Sequence, residues 1–162
     1  MSRTRKSSLT LLLVIMLAWA SGSEAIERPG DAHSARDLER RTIVVTAIQR
    51  DLLAIAEGAP REEQFELYRT YDESMGTWLQ VGFLRTLLNA SIAAKSSAEE
   101  LRLRTDLRDH ARYTLWELDQ NIAHLDAGIA EDGRTPYLRL IKALRSSLVN
   151  VRMTVIRLAA KP

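Results

Sequence analysis

Apolar residues recur three and four positions apart in four long stretches of the chain, which are separated by short polar or Gly/Pro-containing segments. In the first stretch Val45, Ile48, Leu52 and Ile55 share one face of a helix predicted to run from Ser34 to about Glu57, where Gly58-Ala59-Pro60 ends it. Ser34 and Asp37 have the spacing of a capping box at its start. A second helical segment, Arg61 to Ala94, carries Phe65, Tyr68, Tyr71, Met75, Trp78, Leu79, Phe83, Leu84, Leu87, Leu88 and Ile92. Gly76 and Gly82 interrupt it, each disfavouring helix by about 1 kcal/mol relative to alanine, so a kink or break is expected near Gly76.

Ser97 and Glu100 form the capping-box pair expected to open the third helix, along which Ala111, Leu115, Leu118, Ile122, Leu125 and Ile129 alternate by four and three. Gly133 is the expected C-cap residue and Pro136 sits in the first turn of the fourth helix. There Tyr137, Ile141, Leu144, Leu148, Val151, Val155 and Leu158 alternate without a miss, as in a coiled-coil seam. Long amphipathic helices joined by short connections predict an all-α, antiparallel up-down-up-down four-helix bundle.

The N-terminal residues follow another rule. Arg3, Arg5 and Lys6 precede an apolar run from Leu11 to Ala20, after which small residues lead to Ala25. That order is the layout of a secretory signal peptide, and the run falls short of the ~20 residues needed to span a bilayer. Residues 1–25 are read as the signal, with cleavage after Ala25 and Ala20 as second choice. Residues 26–33 form a flexible lead-in and residues 34–162 a single helical domain. The mature protein is expected to be exported to a periplasmic or extracellular compartment and to be soluble there.

Cleavage changes the charge balance. The full chain has 23 Lys+Arg against 21 Asp+Glu, but Arg3, Arg5, Lys6 and Glu24 leave with the signal, and the remainder is formally neutral. A nucleic-acid partner is therefore not expected. Charge is segregated along the chain instead: Glu117, Asp119, Asp126, Glu131 and Asp132 occur between Tyr113 and Gly133 without a Lys or Arg, whereas the sequence from Arg134 onward is basic without an acid. Folding the chain back about residues 133 to 134 sets Asp126 beside Lys142 or Arg139, and Asp119 and Glu117 beside Arg145 and Arg152. The basic fourth helix thus reads as a bundle wall facing an acidic neighbour. Contact with an anionic membrane surface is the second reading.

Cysteine is absent, which excludes a disulfide framework and thiolate chemistry. Asp106/His110 and Gln120/His124 are i,i+4 pairs, but neither belongs to a metal-binding pattern; the positions three before each histidine, Leu107 and Asn121, lack the glutamates of a di-iron bundle. No phosphate-binding glycine loop or nucleophile elbow is present, so no catalytic residue, cofactor or metal is assigned. The most informative cluster is aromatic. Pairing the second and third helices places Trp78 opposite Tyr113 and Met75 opposite Trp116, with Tyr71 a turn away; around Gly76 and Gly82 these five side chains are candidates for a ligand pocket.

The leading functional expectation is a non-catalytic exported bundle that acts through protein contacts as an adaptor, accessory factor or chaperone, with another envelope protein or a second copy as partner. A small-molecule-binding bundle using the aromatic pocket is the second reading, and a secreted all-helical enzyme of the mutase kind the third.

Overall fold

The computed structural model describes residues 29–131 and 137–160. They form four α-helices: α1 (Pro29–Gly58), α2 (Arg61–Ile92), α3 (Ser97–Glu131) and α4 (Leu138–Ala159). Each helix packs against two neighbours, α1 on α2, α2 on α3, α3 on α4 and α4 back on α1, with no packing along the diagonals. The result is the all-α four-helix bundle expected from the heptad-like seams. The predicted signal peptide, Gly133 and Pro136 lie outside the described residues.

The fourth helix follows the sequence pattern throughout: Tyr137, Ile141, Leu144, Leu148, Val151, Val155 and Leu158 are all buried. So are Val45, Ile48 and Leu52 of α1, with Ile55 packed at the edge of the same core. On α3, Leu115, Ile122 and Ile129 flank the core while Leu107, Ala111, Leu118 and Leu125 fill it.

α2 departs from expectation. Its buried face is Leu67, Thr70, Ser74, Thr77, Val81, Leu84, Leu88 and Ser91, an unbroken three-four alternation with small hydroxyl residues at half the positions. Phe65, Leu79 and Phe83 point outward. A hydroxyl tolerates a helix interior when it bonds a carbonyl one turn back, and Ser74 Oγ donates to Tyr71 O and Ser91 Oγ to Leu88 O, both at 2.8 Å. Buried Thr114 of α3 does the same to His110 O at 2.9 Å. These three hydroxyls therefore enter the core already bonded, while large side chains of α2 lie on the surface. α2 also runs as one helix through Gly76 and Gly82.

Two helix starts differ from the sequence reading. α1 begins at Pro29, so Ser34 lies inside the helix, its Oγ bonded to Gly30 O at 2.8 Å, and is no cap. Asp31 supplies the acidic group of the first turn and is held by Arg104 of α3 at 3.0 Å. Residues 29–33 thus belong to the folded domain. At α3 the capping pair is Ser96 and Glu99, one position before the expected Ser97 and Glu100. Ser96 Oγ accepts from Glu99 N at 3.2 Å, and Glu99 Oε2 accepts from Lys95 N at 3.1 Å. Glu100 instead pairs with Arg104 at 2.8 Å.

Candidate functional site

Each interface carries polar contacts that fix its register. Between α1 and α4, Thr154 Oγ1 donates to Asp37, which also accepts from Arg41 at 3.0 Å. Between α1 and α2, buried Gln49 donates to Ser74 Oγ at 3.1 Å, and Arg85 reaches Thr42 Oγ1 at 3.4 Å. Between α2 and α3, Asn121 Nδ2 donates to Thr77 Oγ1 at 3.0 Å. Asn121 is only 4% exposed and its Oδ1 has no protein partner. An unsatisfied buried amide oxygen costs about 1–3 kcal/mol, which marks this position as one that packing alone does not explain.

Between α3 and α4 the acidic and basic runs meet. Arg152 bonds Asp119, and Arg145 bonds Asp126 through Nε–Oδ1 and Nη2–Oδ2 contacts of 2.6 and 3.2 Å. The hydrogen bond from Arg145 holds the Asp126 carboxyl below its usual range, and the same bond holds the guanidinium in its charged form. Asp126 was expected beside Lys142 or Arg139; both of these are exposed and have no acidic partner among the described residues. Glu117 turns away from α4 to accept the Tyr113 hydroxyl at 2.7 Å, and that bond raises the tyrosine pKa. The shift of partner has a geometric cause. Both observed pairs are centred between residues 135 and 136, two residues beyond the expected fold point, and a two-residue change in the centre of a hairpin moves every partner by four, about one turn.

The five aromatic-site candidates are not gathered around one cavity. Trp78 packs against the core, two turns before Arg85, whose side chain reaches α1; it therefore lies on the α1-facing flank of α2. Tyr71 and Met75 are half-buried. Tyr113 and Trp116 lie on the outer surface of α3, 47% and 57% exposed. No described cavity is lined by any of the five. Neither glycine makes room for a ring, since a Cβ at Gly76 or Gly82 would meet nothing within 4 Å.

The surface holds a different arrangement. Phe83 of α2 sits edge-on to His110 of α3 at a centroid separation of 4.7 Å; His110 is 6.2 Å from Tyr113, and Tyr113 stacks on Trp116 at 6.2 Å and 30°. The His110 ring is fixed by a 3.1 Å contact between Nε2 and Gln80 O. Four rings thus run across the outer α2/α3 surface, with Leu79 also exposed on α2. Phe83, Leu79 and His110 were absent from the sequence-derived site. Their signal was nonetheless present: Phe65, Tyr68, Leu79 and Phe83 follow helical spacing out of phase with the Leu67-to-Leu88 seam, so α2 has two apolar faces.

A second histidine lies on the same interface, with His124 Nδ1 2.7 Å from Arg69 Nη2 and Nε2 3.5 Å from Glu73. Because a guanidinium only donates, Nδ1 is the acceptor of that contact. Among the described residues no group of three His, Cys, Asp or Glu side chains is placed to hold a metal ion, and no helix is long and apolar enough to cross a membrane. Comparisons with protein families, curated proteins and solved structures give no match to this chain.

Proposed function

We propose that this chain is an exported, non-catalytic helical bundle that works through contact with another protein of the cell envelope, and that the outer α2/α3 face is where contact is made. The observation that carries this reading is the ring series Phe83, His110, Tyr113 and Trp116 on the surface. Exposed single apolar residues are ordinary, but adjoining aromatics on neighbouring helices form a patch of the kind that binds partners. Trp and Tyr are also the residues that most often dominate binding energy. The rings are held in place, by the Tyr113–Glu117 bond and by the contact of His110 with the α2 backbone, so little ordering remains to be done on association.

The order of basic, apolar and small segments at the N-terminus supports export. The engagement of Arg145 and Arg152 with acids of α3 favours a wall role for α4 over a lipid-binding one. Phe83→Asp and Trp116→Ala test the reading together. Both sites are more than half exposed, so the variants should melt like the wild type, while a partner that co-purifies from the envelope fraction should be lost. Truncating a central ring of such a patch weakens binding by about 30-fold or more. Undiminished co-purification by both variants would remove the α2/α3 face from the account.

A further inference from the structure

We propose that the groove between α2 and α3 above Gly76 binds a guanidinium group. The groove, about 350 Å³ in volume, is lined by Glu73, Gly76 and Thr77 of α2 and by Glu117, Gln120 and Asn121 of α3, with His124 at one end. This inference does not rest on the aromatic contact face, although Glu117 borders both.

The first observation is the orphaned acceptor. Asn121, which is part of the groove wall, donates through Nδ2 to Thr77, and its buried Oδ1 has no protein donor. The second is the charge of that wall: it contains two carboxylates and no Lys or Arg. Glu117 uses Oε1 for the Tyr113 hydroxyl, and Glu73 uses Oε1 for Arg69. The acceptors are therefore distributed along the groove, and they are not gathered as a metal-binding group. A guanidinium offers five N–H donors in one plane, which suits several separated oxygens, whereas an ammonium concentrates its charge at one point.

The third observation concerns access. Gly76 and Gln120 are exposed, and the missing side chain at position 76 keeps the α2 side of the groove open. Exposed Gln120 and buried Asn121 are neighbours in the lining of this groove. The guanidinium can belong to a free small molecule or to an arginine side chain on a partner; the recognition chemistry is shared.

The test is a titration of the ¹⁵N-labelled full chain with methylguanidinium chloride, matched at each point by sodium chloride. Saturable shifts at the Gly76 amide and the Asn121 side-chain amide, absent with sodium chloride, are expected. Gly76→Leu, which grows into the groove from an open position, should weaken binding at least tenfold while melting with the wild type. Glu117→Gln should weaken it severalfold. A blocked Gly-Arg-Gly tripeptide separates the sources: tighter binding than methylguanidinium supports an arginine side chain, weaker binding a free compound. Shifts that follow ionic strength alone, no saturation below about 10 mM, or wild-type affinity in Gly76→Leu would overturn the proposal.

Discussion

Asp119 of α3 and Arg152 of α4 face each other through paired hydrogen bonds, Nε to Oδ1 and Nη2 to Oδ2, and Asp126 with Arg145 repeats the arrangement two turns along the same interface. The α3 run that has acids but no bases and the α4 run that has bases but no acids are therefore one feature, the two sides of a hairpin. Both pairs are 37–48% exposed, so their main effect is to specify register and neighbour.

Exchanging the signs tests this pairing. Asp119→Lys and Arg152→Glu should each destabilise the bundle, and the double variant should recover part of the loss, with a coupling of at most about 1 kcal/mol that shrinks as salt is added. Asp119→Lys combined with Arg145→Glu should be additive, because those residues belong to different pairs. Denaturant melts of wild type, the three single variants and the two double variants at two ionic strengths measure both.

The hydrophobic seam supplies the larger effect. Leu148 is fully buried at the middle of α4, whereas Ser146 is exposed two residues earlier. Leu148→Ala should cost about 2–5 kcal/mol, and Ser146→Ala should stay within about 0.5 kcal/mol of wild type in the same unfolding measurement.

Much of the fold was legible because hydrophobic spacing and packing agree in α1, α3 and α4. In α4 every predicted seam position is buried, since Leu, Ile and Val there have no competing face. α2 was misread because two signals overlap on it. Ser74 and Thr77 look like surface residues until their hydroxyls are seen to bond within the helix or to a neighbour, and the aromatics look like core until these residues and buried Thr70 take their place. The same misreading hid the candidate site. Trp78, Tyr113 and Trp116 could be named from the sequence, but only the rotation of α2 shows that Phe83, rather than Trp78, adjoins the rings of α3. The groove above Gly76 depends on the partnerless oxygen of Asn121, which no sequence spacing reveals.

The buried polar layer gives a prediction with an unusual sign. Thr77→Val removes the acceptor of the Asn121 amide nitrogen and should cost about 1–3 kcal/mol. Adding Asn121→Leu removes the stranded amide as well, so the double variant should regain most of that loss. Thermal melts of the single and double variants decide it; a double variant weaker than Thr77→Val would show that the layer is held by more than this pair.

Acid should act through Asp37. Burial pushes its carboxyl up, but hydrogen bonds from Arg41 and Thr154 and the charges of Arg41 and Arg157 outweigh burial and bring the pKa below the ordinary 3.8. The folded state therefore binds this proton less readily than the unfolded state. Its contribution to stability is complete above about pH 4 and is lost as pH falls through the folded-state value. Unfolding midpoints measured from pH 7 downward should fall more steeply below about pH 4 for wild type than for Asp37→Asn.

The central claim is that the outer α2/α3 face contacts a protein, and site-specific photocrosslinking tests it most directly. A photoreactive phenylalanine placed at Tyr113 or Trp116, in the full chain made in its own cells, should give a discrete heavier adduct that disappears when Phe83→Asp is added. The same residue at Ser146, exposed on α4, should give none. Equal labelling from Ser146, or no adduct from either ring position, would contradict the account.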